Sequence, residues 1–469
     1  MPDIGGINVT MDPFFNPVFL GRVLSSYLFD VDRVWKMNNK QMKKYQDREF
    51  RRIVNYAYTV PMYHKKYRAC GVHPQDIRGI DDIEKLPFIT KNDLRENYPD
   101  NIIPNGFDKK NGFLISTSGS TGKPVFVYYD LLSAIKSLEC FVRGLKAYGG
   151  NWRKTRIVLI VDISPGSAEH AVFTKSALTL LKKFITLENI KYLHIGEKPE
   201  IIIKEVNEFN PEFLGSYPEM LRSLAFLKKS GYGKDITPKY VLSSGAMLDS
   251  YTKNYVEDAF GTRVLDYYGT TEAGPLAFEC LEGNYHIHSD FVNLEFLDDD
   301  NKPVAYGEPG HTIVTKLYGQ GTPIIRYTGI DDIAIPIDDK CSCGINTQII
   351  RKIEGRSTDL ILLPSGKTLS PLSITGIPAK VMEDLNTYKI EQFQIIQHKV
   401  DEIEVLIVIN KKTRNVGPPV EKILSELRKK FQEKIGPDVK IFVKEVEEIY
   451  KNKPSDKVKV VISKVKSGK

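Results

Sequence analysis

The chain is poor in cysteine and has no long apolar run, and each lack narrows what the protein can be. Five cysteines (Cys70, Cys140, Cys280, Cys341 and Cys343) are spread over 469 residues. So few, and an odd number, do not make the disulfide framework of a small secreted domain. No apolar stretch reaches the length of a membrane span. The opening text "MPDIGGINVTMDPFFNPVFLGRVL" lacks the basic start and long apolar centre of a signal peptide, so a cytoplasmic location is expected. Charge of one sign is also scarce: the net +7 is mild for this length, and basic residues gather only near the end, in "KNKPSDKVKVVISKVKSGK". A solvated terminus explains that cluster, and nucleic acid is not an expected partner. Internal repeats and low-complexity segments are absent too.

What is present is enough for two domains, since 469 residues exceed what one core usually supports. Residues from about 30 to 100 have amphipathic helical spacing, punctuated by Pro61 and Pro87. After Phe113 strands and helices alternate. "RIVLIV", "EFLGSY" and "KYVLSSG" read as strands, and "PEMLRSLAFLKKSGYG" reads as a helix with a glycine stop. This alternation predicts an α/β fold with a largely parallel sheet. Near residues 280–335 the text turns to strands without long helices, as a β-rich subdomain would. "KIEQFQIIQHKVDEIEVLIVIN" then gives two alternating strands, "VEKILSELRKKFQEKIG" an amphipathic helix and "VKIFVKEV" one more strand. The expected organisation is a large domain over 1–354, with a helical lead-in over 1–110 and a β-rich part at about 280–350. A small mobile α+β domain over 355–469 follows, hinged near 356–359.

The most polar and flexible stretch is "STSGSTGKPVFV", from Ser116 to Val127. A Walker A loop needs glycine, four residues, then Gly-Lys-Ser/Thr at the start of a helix. Here Pro124 follows Gly122-Lys123, and Thr117 stands where the first glycine should be, so that motif fails. The flanking "GFLI" and "VFVYY" can pair as strands. That would leave a hairpin loop whose N–H groups and hydroxyls form an anion nest.

Five segments in order then carry a resemblance. "STSGSTGKP" resembles the first signature loop of the adenylate-forming (acyl-CoA synthetase and ligase) superfamily. "YGTTEAG" (268–274), "IIRYTGIDD" (324–332), "IEGRSTDLILLPSGK" (353–367) and "PSDKVKVVISKV" (454–465) are similar to its later motifs. The early text "RRIVNYAYTVPMYHKKYRACGVHPQDIRGIDDIEKLPFITKNDLREN" resembles the branch of phenylacetate-CoA ligase, CapK-type and coenzyme F390 synthetase-like proteins.

The resemblance implies an enzyme that joins a carboxylic acid to ATP as an acyl-adenylate and then passes the acyl group to CoA. An aromatic or other cyclic acid is the family expectation. It implies that Ser118, Gly119, Ser120, Thr121, Gly122 and Lys123 cradle the β- and γ-phosphates. Glu272 would hold Mg²⁺ and Thr271 the α-phosphate. Tyr268, with Gly269 and Thr270 beside it, would stack on adenine, whose other face meets Ser243 to Ala246 (Ser244, Gly245 and Ala246 among them). Asp331 would accept both ribose hydroxyls, as a carboxylate can. Arg356 would sit near the ribose and α-phosphate, and Lys457 would be the catalytic lysine, with Lys453 and Lys459 as competitors. Two departures stand out: Thr358 replaces the usual charged hinge residue, and Asp456 replaces the glycine before the lysine.

Cys280, His286, Cys341 and Cys343 make a closed three-thiolate, one-imidazole set of the structural zinc type, as in some members of that branch. His288, two residues along the same strand face, is the alternative to His286. The segment "VDISPGSAEH" lacks the tyrosine carried by the phenylacetate enzymes and places Asp162 and Glu169 there, which argues against an unsubstituted arylacetate, while His170 reads as a packed or solvated histidine. Other readings remain open. The acyl group could pass to a carrier protein or an amine, the reaction could be an F390 synthetase-like nucleotidyl transfer, or the fold could be a non-catalytic nucleotide-binding scaffold. Monomer and homodimer are both open.

Overall fold

The computed structural model describes residues 21, 25, 29–109, 112–117, 124–163, 188–356, 361–366, 368–369, 372–375, 377–385, 387, 389–411, 413–449 and 460–465. In the lead-in, α1 (Asn39–Tyr58) starts where the Asn38 side chain accepts from the Gln41 N–H and the Gln41 side chain accepts from the Asn38 N–H. Its buried residues, Met42, Phe50, Ile53, Val54 and Ala57, recur at helical spacing and so share one face. α2 (Pro61–Ala69) opens on proline, whose fixed φ suits a first helical position. α3 (Lys91–Asn97) is capped by Thr90 and Asp93 in the same reciprocal manner as α1.

β1 (Gly112–Ser116) and β2 (Phe126–Asp130) form an antiparallel hairpin, as the flanking text predicted. Asp130 then caps α4 (Leu131–Ala147) by accepting from the Ser133 N–H. The rest of the large unit is one eleven-stranded sheet, built from β3 (Ile157–Val161), β4 (Ile190–His194), β5 (Phe213–Ser216), β6 (Tyr240–Ser244), β7 (Val264–Thr270), β8 (Gly274–Glu279), β9 (Tyr285–Ile287), β10 (Val292–Leu297), β11 (Gly310–Lys316), β12 (Asp332–Ile337) and β13 (Ile349–Arg356). Its order is β10-β11-β12-β13-β9-β8-β7-β6-β5-β3-β4. From β4 to β7 every pairing is parallel. α5 (Pro199–Phe209), α6 (Pro218–Lys229) and α7 (Ser250–Phe260) lie between these strands in the chain, and their apolar faces share a core with β3, β5, β6 and β7. All five residues of β3 are buried, as a strand covered on both faces requires.

From β7 onward every pairing in the sheet is antiparallel, so the β-rich text continues the parallel ladder rather than standing apart from it. The lead-in is tied to the sheet by buried charge. Arg143 of α4, with no exposure, donates to both Asp290 oxygens at 2.9 and 2.8 Å and to the carbonyls of Asp30 and Val31. A buried guanidinium is tolerable only when paired and hydrogen-bonded like this.

The small unit has its own four-stranded sheet and its own core. After the two-residue strands β14 (Ile361–Leu362) and β15 (Thr368–Leu369) comes α8 (Ile377–Asp384). β16 (Ile390–Lys399) pairs antiparallel with β17 (Glu402–Ile409), and α9 (Val420–Ile435) buries Val420, Ile423, Leu427, Phe431 and Ile435. β18 (Lys440–Val446) joins β17 in parallel, and β19 (Val461–Ser463) joins β16. Among the described residues, no helix is long and apolar enough to cross a membrane.

Candidate active site and a cysteine–histidine cluster

Parallel α/β sheets offer ligands the crevice outside the carboxyl ends of their strands. Two of the expected segments lie there. Ser244 ends β6 and pairs with Tyr267 of β7. Gly245 follows with φ of +76°, a backbone that glycine adopts freely and that turns the chain away at Ala246. Tyr268, Gly269 and Thr270 end β7, and a tight turn through Thr271 and Glu272 leads into β8. The ladder shifts register between Tyr268 and Gly269, and a Cβ at Gly269 would lie 3.0 Å from the Gly274 carbonyl oxygen. A side chain there would have to push the Gly274 arm aside by a few tenths of an ångström.

The turn is held by tyrosines. The Tyr129 hydroxyl donates to the Thr271 carbonyl at 3.1 Å, and the Ala273 N–H donates to Thr270 Oγ1 at 3.1 Å. The Tyr327 hydroxyl donates to Glu272 Oε1 at 2.8 Å. Both partners are buried, and burial together with the Glu272 charge drives the Tyr327 phenol far above its ordinary value. The proton therefore stays on Tyr327, whose hydroxyl holds Glu272 Oε1 in place. A carboxylate oxygen is the kind of ligand that Mg²⁺ takes, together with waters and substrate phosphates.

Asp331 lies beside this turn with φ of +58°, a left-handed conformation that aspartate tolerates better than most residues. Its carboxylate is ion-paired with Lys91 at the start of α3. The adjacent Asp332 does something different: its Oδ2 accepts from the Tyr268 hydroxyl at 2.8 Å. Arg356 pairs through its backbone with Asp332 across β12 and β13, which brings the end of β13 to the same edge. Loop residues Ser118, Gly119, Ser120, Thr121, Gly122 and Lys123 lie outside the described residues. The mouth of that loop is described, and it is closed by bonds from the Thr117 N–H to the Val125 carbonyl and from the Val125 N–H to Thr117 Oγ1, both 3.0 Å. Lys453, Lys457, Lys459, Thr358, Asp456, Glu169 and His170 also lie outside the described residues. Lys91, Tyr129, Tyr327 and Asp332 are additions to the set read from the sequence. Tyr327 stands inside "IIRYTGIDD", and the Thr-x-x-Asp cap that places Lys91 at a helix start is written in "TKND".

The second constellation lies at the far end of β8. Cys280 follows β8, His286 is in β9, and Cys341 and Cys343 lie between β12 and β13. β9 pairs with β13, so the two hairpins are neighbours and the four ligand atoms lie within 4.8 Å of one another. Cys280 Sγ is 3.6 Å from Cys341 Sγ, and Cys343 Sγ is 3.2 Å from His286 Nε2. Tetrahedral zinc with bonds of about 2.0 and 2.3 Å implies ligand separations of about 3.5–3.8 Å, near these two contacts, and three thiols with one imidazole are a zinc-type donor set. His286 Nδ1 is 3.2 Å from Thr347 Oγ1, which leaves Nε2 facing the thiols. Burial pushes the His286 imidazole down to about 4, so it is neutral, as a metal ligand must be. Burial raises the thiols of Cys280 and Cys343. It would raise Cys341 too, but the Cys343 N–H and the Asn284 amide hold that thiol below its ordinary value. His288 is elsewhere: its Nδ1 lies 3.0 Å from Arg143 Nη1.

Comparison with known proteins agrees with this geometry. The family model of AMP-binding enzymes matches residues 108–316, and that of the CapK C-terminal domain matches residues 374–464. Phenylacetate-coenzyme A ligase of Thermus thermophilus is 25% identical over 366 residues, covering 75% of this chain and 78% of that one. Protein CapK of Staphylococcus aureus is 26% identical over 340 residues, covering 70% of each. A crystal structure of 2-hydroxyisobutyryl-CoA ligase in the postadenylation state has the same fold, with a TM-score of 0.74 and 18% identity over 92% of this chain and 91% of that one. These matches support the adenylate-forming superfamily and, within it, the branch that holds the phenylacetate-CoA ligases and CapK.

Proposed function

We propose that the protein activates a carboxylic acid with ATP as an acyl-adenylate and then transfers the acyl group to CoA. The observation that carries this reading is the convergence of Glu272, Thr271, Tyr268 and Asp331 at the carboxyl ends of β6 and β7 and the adjoining edge. In the first step a carboxylate oxygen attacks the α-phosphorus and pyrophosphate leaves. In the second the CoA thiol attacks the acyl carbon and AMP leaves. The protein's work is to hold two anions in line and to offset their charge.

Each residue then has a task. The 118–123 loop binds the departing phosphates, and Lys457 of the small unit brings positive charge to the reacting carboxylate and α-phosphate. Tyr268 packs on adenine. Asp331 takes the ribose hydroxyls, which requires its bond to Lys91 to open or to be shared. Glu272 holds Mg²⁺, which when bound offsets phosphate charge; Tyr327 keeps the carboxylate aimed. The Cys280, His286, Cys341 and Cys343 set holds a structural zinc that clamps β8–β9 to β12–β13. The unit after residue 355 turns between the two half-reactions, and the enzyme works in the cytoplasm, where ATP and CoA are supplied.

A second reading keeps the adenylation and changes the acyl acceptor to a carrier protein or an amine. ATP–pyrophosphate exchange over a panel of aromatic, cyclic and hydroxylated acids, followed by CoA-dependent release of AMP, separates the two. Exchange without any effect of CoA would leave only the second.

A further inference from the structure

Lys316, the last residue of β11, is an unusual buried cation. Among the described residues no carboxylate lies within ion-pair distance of it. Its ammonium instead donates to Ser133 Oγ at 3.0 Å and sits over two aromatic faces, 3.9 Å from the Tyr129 ring centre and 4.6 Å from that of Tyr318. The Tyr129 ring under that ammonium carries the hydroxyl that holds the Thr271 carbonyl. The other side of the turn is backed by the same group, since a Cβ on Gly274 would lie 3.3 Å from the Tyr129 hydroxyl oxygen. Ammonium, ring, hydroxyl, turn carbonyl and then Glu272 thus form one contiguous chain.

We propose that Lys316 is a positioning residue for adenylation: its charge fixes Tyr129, and Tyr129 fixes the turn that presents Thr271 and Glu272 to the nucleotide. The proposal rests on the reading of that turn given under Proposed function. A cation on a desolvated aromatic face is held more firmly than an alkyl chain in the same space, and the hold vanishes when the amine loses its proton. Burial brings the Lys316 ammonium down to about 8, opposed by Asp130, the charged group that faces it from the end of β2. The phenols on either side, Tyr129 and Tyr318, are pushed far up by burial and stay neutral throughout. The link therefore loosens as pH rises through about 8.

The test measures Mg-ATP affinity by titration calorimetry, and pyrophosphate exchange alongside it, from pH 6.5 to 9.5. It uses the full chain, Lys316→Met, Tyr129→Phe and the double variant. Lys316→Met keeps the volume and removes the charge; Tyr129→Phe keeps the ring and removes the bond to Thr271. The expected result is a wild-type affinity that falls above pH 8. At neutral pH each variant is weaker by about five- to tenfold and lacks that fall, and the double variant is no worse than either single one. A retained alkaline fall in Lys316→Met, or single losses that multiply in the double variant, would overturn the proposal. So would a wild-type affinity that is flat with pH. Should Lys316→Met not fold, Tyr129→Phe decides alone by the loss or retention of the fall. A wild type that binds Mg-ATP yet exchanges pyrophosphate with no acid would count against the adenylation reading, while the affinities still decide the role of Lys316.

Discussion

β8 is only six residues long, about 20 Å, yet its two ends are organised on opposite principles. At its start, the turn bearing Thr271 and Glu272 is fixed by neutral phenols that donate to a carbonyl and a carboxylate. At its end, Cys280 meets His286 of β9 and the thiols of Cys341 and Cys343, from the segment between β12 and β13. The first arrangement is complete in the protein itself and leaves its carboxylate ready for a hard, exchangeable ion. The second closes on its own ligands and offers no place for a substrate. On the proposed function, chemistry and clamping are divided between the two ends of one strand.

That comparison can be broken from the catalytic end first. Glu272→Gln should lower acid-dependent pyrophosphate exchange by about 10²–10³-fold, with the thermal midpoint close to wild type. A variant that keeps its rate would remove Glu272 from the chemistry. Next come the two adjacent carboxylates. Asp331→Asn should weaken ATP by about tenfold and relieve Lys91, whereas Asp332→Asn should mainly loosen Tyr268 and cost less. Affinities in the reverse order would make Asp332 the ribose ligand. At the clamping end, Cys341→Ser should remove most of one equivalent of zinc from protein purified without chelator. It should also lower the thermal midpoint by several degrees while exchange at low temperature stays within about threefold. Metal content below half an equivalent in wild type would count against the zinc assignment.

The smallest expected effect concerns Asp266, within β7. Burial, and then the charge of Glu279, raise its carboxyl to about 7. The folded protein therefore keeps a proton that the unfolded chain has already lost. Its contribution to stability is fully present below about pH 4 and is lost as pH rises through 7. Asp266→Asn should gain thermal midpoint relative to wild type between pH 5 and 8, and equal slopes would refute the shift.

The local elements were legible because their periods are local. The all-apolar text of β3 and the 3–4 spacing of α9 need no partner to be read. The hairpin around the loop was legible for the same reason, since its two strands are neighbours in the chain. Pairings over long separations were not. The alternation in "NYHIHSD" marks a strand but says nothing about β13, which packs beside it and brings Cys341 and Cys343 to His286. Likewise Lys91 reads as an ordinary surface cation on a capped helix, and only the fold carries it across 240 residues to Asp331. Resemblance supplied the acidic residue and not its partner. Lys316 gave no signal at all, because a lysine at a strand end reads as solvent-facing until the tyrosines close over it.

The central claim is that the acid's own oxygen bonds to the α-phosphorus, and isotope transfer tests it most directly. An acid found active by exchange is supplied with oxygen-18 in its carboxylate, together with ATP and CoA, and the AMP released is weighed by mass spectrometry. The account predicts AMP carrying a single oxygen-18 atom for each thioester formed. Unlabelled AMP, or ADP in its place, would contradict it.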